Sequence, residues 1–333
     1  MDRVGKFVVL LGVSAAAAMA ASRTEVETSV TRFGAIFVAE FEDVGTLHCA
    51  DPLSPVCTLP VRVRVSRILK DQDRQGLAPS EINVNLTQSV SDGSDRLPHF
   101  WSGHKVKVGQ AYVVVAPSQK SLASMIESPA EVEAITKESD PIADVELILG
   151  FAALPLPLQS QAIAEAVARP KTPHSYFLAR YVAELLAADK ALDTVALTEA
   201  LVSSSAQAFS EDARMTLLAH LSASSVPIDS RTDGLVQVFV TLVARYFLVQ
   251  SDEPPRPGQE WMAPFSRIQV AVLETYLPQI LASERATTFL RATLRAGVGR
   301  QIEQRTSQLL GDARAGPERR AQLRQLLGLV VAQ

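Results

Sequence analysis

The stretch Leu59–Lys70 constrains this chain more than any other. Val61, Val63 and Val65 alternate with Arg62, Arg64 and Ser66. One face of the segment is therefore apolar and the other charged, which is the period of two of a half-buried β-strand. β-branched residues suit the pleat, and the arginines keep the far side solvated. Further strands are predicted at Ala35–Phe41, Ile82–Thr87 and Tyr112–Ala116, with polar turns at 71–76 and 91–95. Several short strands at these spacings, with no long helix among them, predict a small closed or nearly closed antiparallel barrel over residues 22–118.

Beyond a linker at Ser118–Ser128 the period changes to 3.6. Helices are predicted at Glu131–Thr136, Ser160–Ala168, His174–Ala188, Val195–Ser203, Glu211–Ser222 and Leu235–Val249. Four more are predicted at Phe265–Leu281, Glu284–Ala296, Arg300–Leu309 and Pro317–Val331; Asp144–Phe151 reads equally as strand or buried helix. The fold class is thus α+β and multidomain: a sheet domain at 22–118 followed by an all-α domain at 129–333. With 333 residues, both have the length to bury a core.

The first twenty residues read as an export signal. A short basic start (Arg3, Lys6) precedes an apolar run from Phe7 to Ala18, and Ala18-Met19-Ala20 has the small-x-small form of a cleavage site. The run is too short for a transmembrane helix of about 20 residues. Leu235–Val249 is the nearest later approach to a span, and Arg245 and its length argue against it. The formal net charge is −4; removing Asp2, Arg3 and Lys6 takes away +1 and leaves −5. That balance offers no electrostatic basis for binding nucleic acid or an anionic membrane. The expected location is the periplasm or the exterior, with cleavage near Ala20.

Cys49 and Cys57 are the only cysteines. In an oxidising compartment two cysteines this close predict a local disulfide, contributing about 2–3 kcal/mol through the unfolded chain. A metal or redox pair with the adjacent His48 is the alternative, but the spacing is not C-x-x-C and a ligand set is missing. Asp71-x-Asp73-x-Gln75-Gly76 starts like a calcium loop, yet Ile82 stands where the closing glutamate belongs. A solvated turn is the expectation.

Three features together carry a resemblance: the strand end Val65-Ser66-Arg67-Ile68-Leu69-Lys70, the Ile82–Leu86 strand, and Val108-Gly109-Gln110-Ala111-Tyr112-Val113-Val114. They resemble secreted bacterial domains related to the netrin and tissue-inhibitor-of-metalloproteinase family, which implies an OB-like barrel. Inhibitory members of that family use an N-terminal cysteine, whereas the expected mature terminus here is Ala21. In the C-terminal half, Ala196–Ser204 followed by Asp212–Leu218 resembles a HEAT-like helix pair, and an irregular bundle is the alternative.

No catalytic set, metal site or cofactor is expected, because the chain carries no H-E-x-x-H, G-x-S-x-G, phosphate-cradling loop or dinucleotide fingerprint. His99, Phe100, Trp101 and His104 cluster just before a predicted strand; Phe100 and Trp101 are expected to cap the barrel end with the histidines solvated, and the four are the candidate binding residues if the aromatics are instead exposed. The functional expectation is an exported, non-enzymatic protein that binds a protein or peptide in the cell envelope. Two alternatives are a hydrolase using His99, Ser102 or His104 between the domains, and a peptidase inhibitor acting through residues 49–57.

Overall fold

The computed structural model describes residues 27–46, 48–49, 56–72, 76–89, 107–119, 121–188, 196–197, 199–201, 208–222, 227–248, 267–311 and 316–331. The chain divides into two compact units, one over Glu25–Leu154 and one containing Pro155–Gln333. The first therefore extends well past Ser118.

Helix α1 (Ser29–Arg32) leads into strand β1 (Ala35–Val44), followed by β2 (His48–Cys49), β3 (Val56–Asp71), β4 (Ser80–Ser89) and β5 (Ala111–Ala116). Helix α2 (Leu122–Glu127), strand β6 (Glu131–Ala134) and helix α3 (Pro141–Ala152) complete the unit. All pairings are antiparallel. β2 and β4 pair with the same residues of β3, so they lie on its opposite sides, and β2 prolongs the line of β1. The strand order is thus β4, β3, β1 with β2, β5, β6.

The sheet is open, not the closed barrel expected: among the described residues β4 and β6 do not pair with each other. Three irregularities in the β1–β3 register, at Ile36/Phe37, Val38/Ala39 and Phe41/Asp43, increase its twist and bend it. The face on which Phe37, Phe41, Val61, Val63, Val84, Leu86, Tyr112 and Val114 converge is filled, and α2 packs across it on β4 and β5. Met125 and Ile126 of α2 are fully buried in this core. The segment expected to be a linker is therefore the plug of the sheet. Ser121 caps the plug, its hydroxyl accepting from the Ser124 N–H at 3.2 Å.

A second correction follows directly. Glu131–Thr136 has helix-forming residues, but Glu131–Ala134 pairs with β5 as an edge strand with Val132 turned into the core. Tertiary pairing outweighs propensity over so short a segment. The ambiguous Asp144–Phe151 lies within α3, which Asp140 caps by accepting from the Ile142 and Ala143 N–H groups, both at 3.1 Å.

The Val108-Gly109 motif makes a type II turn into β5. The Gln110 N–H donates to Lys107 O at 3.2 Å, and Gly109 sits at φ 76°, where a side chain is disfavoured. The Gly109 N–H also donates to Phe41 O at 2.8 Å, tying the turn to β1. Gly109→Ala is expected to cost about 1–2 kcal/mol through the positive φ alone, because a Cβ there meets nothing within 4 Å. Urea titration of the full chain checks this.

The second unit is helical in every described element. α4 (Leu156–Ala168), α5 (Tyr176–Ala188), α6 (Glu211–Ser222) and α7 (Asp233–Tyr246) are followed by α8 (Arg267–Ala271) and α9 (Leu277–Leu281), with a π-helical turn, Val272–Tyr276, between these last two. The Leu277 N–H reaches back five residues to Val272 O, which accommodates Pro278 in an otherwise continuous helix. α10 (Glu284–Thr293), a second π turn, α11 (Gly299–Leu310) and α12 (Pro317–Val331) follow. Gly297, at φ 144°, provides the break between α10 and α11.

α5 packs on α6, α6 on α7, α7 on α10 and α11 on α12. α7 is buried nearly all round, from Val236 to Tyr246, and is the central helix of this unit. Arg285 fastens α10 to the start of α7. Its Nε donates to Asp233 Oδ1 at 2.8 Å, and its Nη1 donates to the carbonyls of Asp229 (3.1 Å) and Arg231 (2.7 Å).

Candidate functional site

The motif residues behind the family resemblance hold the sheet unit together. Arg67 stands opposite Val38 on the outer face of the sheet and pairs with Glu146 of α3. Lys70 Nζ donates to the carbonyls of Val30 (3.0 Å) and Thr31 (2.9 Å) at the end of α1. The basic strand end thus bonds to both helices, and Ile36, Val38, Val113 and Val115 on the same face of the sheet are buried. Tyr112 packs edge-on against Phe41, with ring centroids 5.6 Å apart. Burial raises its pKa, and a hydrogen bond with the Lys107 backbone partly opposes that rise.

Past α3 the outer face is open. β3 contributes Thr58, Arg62 and Arg64, β1 contributes Glu40 and Glu42, and β4 contributes Glu81, Asn83, Asn85 and Thr87. The register sets Thr58 opposite Thr87, Arg62 opposite Asn83, and Arg64 opposite both Glu40 and Glu81. Arg64 pairs with Glu40, and its Nε lies 3.4 Å from Glu42 Oε1. Arg62 Nε lies 3.5 Å from the other oxygen of Glu42. The hydrogen bond to Glu40, then its charge, raises the Arg64 pKa. Both arginine side chains remain about half exposed, at 50% and 49%.

This face is a polar, hydrogen-bonding surface of mixed charge. Its arginines and glutamates stand within ion-pairing distance of one another. Sequence reading found the arginines but missed Glu40 and Glu42 as their partners. The signal was present: two acidic residues alternate with Phe41 on a strand destined to pair with an arginine strand.

The expected site residues divide into two groups. His99, Phe100, Trp101, Ser102 and His104 lie outside the described residues. Cys49 and Cys57 are brought directly opposite one another in the β2–β3 ladder, and no cysteine among the described residues is free. The acidic turn after β3 is held by protein groups: Asp71 Oδ2 accepts from the N–H groups of Gly76 (3.1 Å) and Leu77 (3.2 Å). Among the described residues no cluster of three or more His, Cys, Asp or Glu has the geometry to hold a metal ion.

The two described histidines of the helical unit have structural surroundings. His174 Nε2 lies 3.2 Å from Ala166 O, and the His174 backbone bridges in parallel to Phe209. The Nδ1 of His220 is 3.8 Å from Glu184. Burial first, and then the charge of Arg180, lower the His220 pKa, while Glu184 opposes them.

No described helix is long and apolar enough to cross a membrane. Comparisons with family models, curated proteins and solved structures returned no match.

Proposed function

We propose that this chain is an exported, non-enzymatic binding protein of the cell envelope, and that it meets a partner protein on the outer face of its sheet. One observation carries the reading. The inner face of the sheet is packed solid by α2, whereas the outer face over β1, β3 and β4 is broad, polar and open. A filled core has no room for a small ligand, while a polar face with arginines at its centre suits protein recognition. The signal-like first twenty residues supply the location, and an OB-like ancestry of the sheet rests on the motif resemblance alone. A HEAT-like scaffold for the second unit rests on the resemblance of Ala196–Ser204 and Asp212–Leu218, of which residues 198 and 202–204 lie outside the described residues.

The test is a photo-crosslinking residue at Asn85 in the full-length protein, exposed to envelope extract. The expected result is one saturable adduct that excess unmodified protein competes away and that R62S/R64S abolishes. The ion pairs of this ladder are solvent-screened, so the double substitution is expected to change stability by no more than about 1 kcal/mol. Absence of any competed adduct, or an adduct indifferent to R62S/R64S, overturns the proposal.

A further inference from the structure

We infer that Cys49 and Cys57 are joined by a disulfide that clamps β2 onto the sheet, so that the attachment of this strand is under redox control. β2 has only two residues, and its ladder consists of the pairs His48–Thr58 and Cys49–Cys57. Thr58 adds one long side-chain hydrogen bond, from Oγ1 to His48 O at 3.4 Å. Among the described residues these are the contacts that hold β2 to the sheet, and so short a ladder is a weak attachment. The opposite flank of β3 is secured independently, since Cys57 and Thr58 also pair with Gln88 and Thr87 of the ten-residue β4. A covalent link between Cys49 and Cys57 would secure the β2 side. Directly opposed residues of an antiparallel pair have Cα atoms about 4.5–5.5 Å apart, within the range a disulfide spans.

The chemistry needs an external disulfide as oxidant. One cysteine thiolate attacks it and forms a mixed disulfide, releasing the first thiol. The second cysteine thiolate then displaces the other thiol and closes the S–S bond. Two protons and two electrons leave the pair, and the oxidant is reduced to two thiols. Glutathione disulfide or a protein disulfide of an oxidising compartment fills that role. The ring closed spans nine residues, Cys49 to Cys57. Closure of a ring this size is expected to slow opening of the β2–β3 contact roughly 10- to 100-fold.

The test uses the full chain equilibrated with glutathione disulfide in vitro, so its outcome is independent of the proposed location and partner. Iodoacetamide is expected to add nothing before reduction and two adducts after it. Hydrogen exchange of peptides covering residues 46–49 and 57–58 is expected to accelerate by that factor on reduction, while β1, β5 and β6 keep their protection. C49S is expected to reproduce the reduced pattern; if it does not fold, wild type reduced and alkylated after folding replaces it. Two alkylatable thiols in the equilibrated protein overturn the inference. So does unchanged exchange at 46–49 on reduction.

Discussion

Ile126→Ala is expected to destabilise the sheet unit by about 2–5 kcal/mol, the range for truncating a buried isoleucine that leaves a cavity. Ile126 is fully buried on α2, and its neighbours in the core come from strands far apart in sequence. α2 packs on both β4 and β5, which lie on either side of the β3–β1 pair. The loss is therefore expected to appear across the sheet and not only around residue 126. Hydrogen exchange of β3, β4 and β5 peptides reads this unit separately from the helical one. Leu158→Ala, at an exposed leucine of the other unit, is the matched control and is expected to leave those peptides unchanged. A loss below about 1 kcal/mol with Ile126→Ala would mean that α2 does not plug the sheet.

The second large effect is alkaline loss of stability in the helical unit. Tyr181 is fully buried, and its hydroxyl donates to Gln159 Oε1 at 2.9 Å. Burial pushes its pKa up to about 12 from an ordinary 10. The folded state thus keeps a proton that the unfolded chain releases. The stabilisation is complete below pH 10 and is lost as pH rises from 10 through 12, amounting to about 2–3 kcal/mol across that window. Tyr276, also raised by burial, adds to the same slope.

Tyr181→Phe removes the titration and leaves Gln159, itself buried, without this donor. It is expected to cost about 1–3 kcal/mol at pH 7 and to flatten the fall above pH 10. Urea midpoints at pH 7, 10 and 11.5 for both proteins decide the matter. An equal alkaline slope in the two proteins would assign the loss to other groups.

Much of the strand and helix framework was legible because its periods are local. Leu59–Lys70 lies inside β3, Glu211–Ser222 is α6, and Pro317–Val331 is α12. The errors cluster between Ser118 and Thr136, where segments are too short for periodicity to identify them. Ser121–Glu127 looked like linker because six helical residues bury only Met125 and Ile126 deeply. Glu131–Ala134 looked helical because its strand character comes from the edge of β5 and not from its own residues. The outer-face site was half legible. Arg62 and Arg64 declared a polar face, but their pairing with Glu40 and Glu42 required the β1–β3 register, including its irregularity at Phe41/Asp43.

The strand end Val65–Lys70 shows the same division. By itself the sequence determined that the strand alternates, that its arginines lie on one side, and that sheet gives way to helix along the chain. These are properties of the side-chain period, and no distant residue alters them. Only the tertiary structure decided that Arg67 and Lys70 bond to α3 and α1, while Arg62 and Arg64 pair with the neighbouring strand β1. The reason is geometric. The register irregularity between Val38 and Ala39 gives β3 an extra residue between Val65 and Arg67, bringing Arg67 opposite Val38 beneath α3. Similarly exposed arginines a few positions apart on one strand therefore take partners from different elements, which only the folded sheet distinguishes.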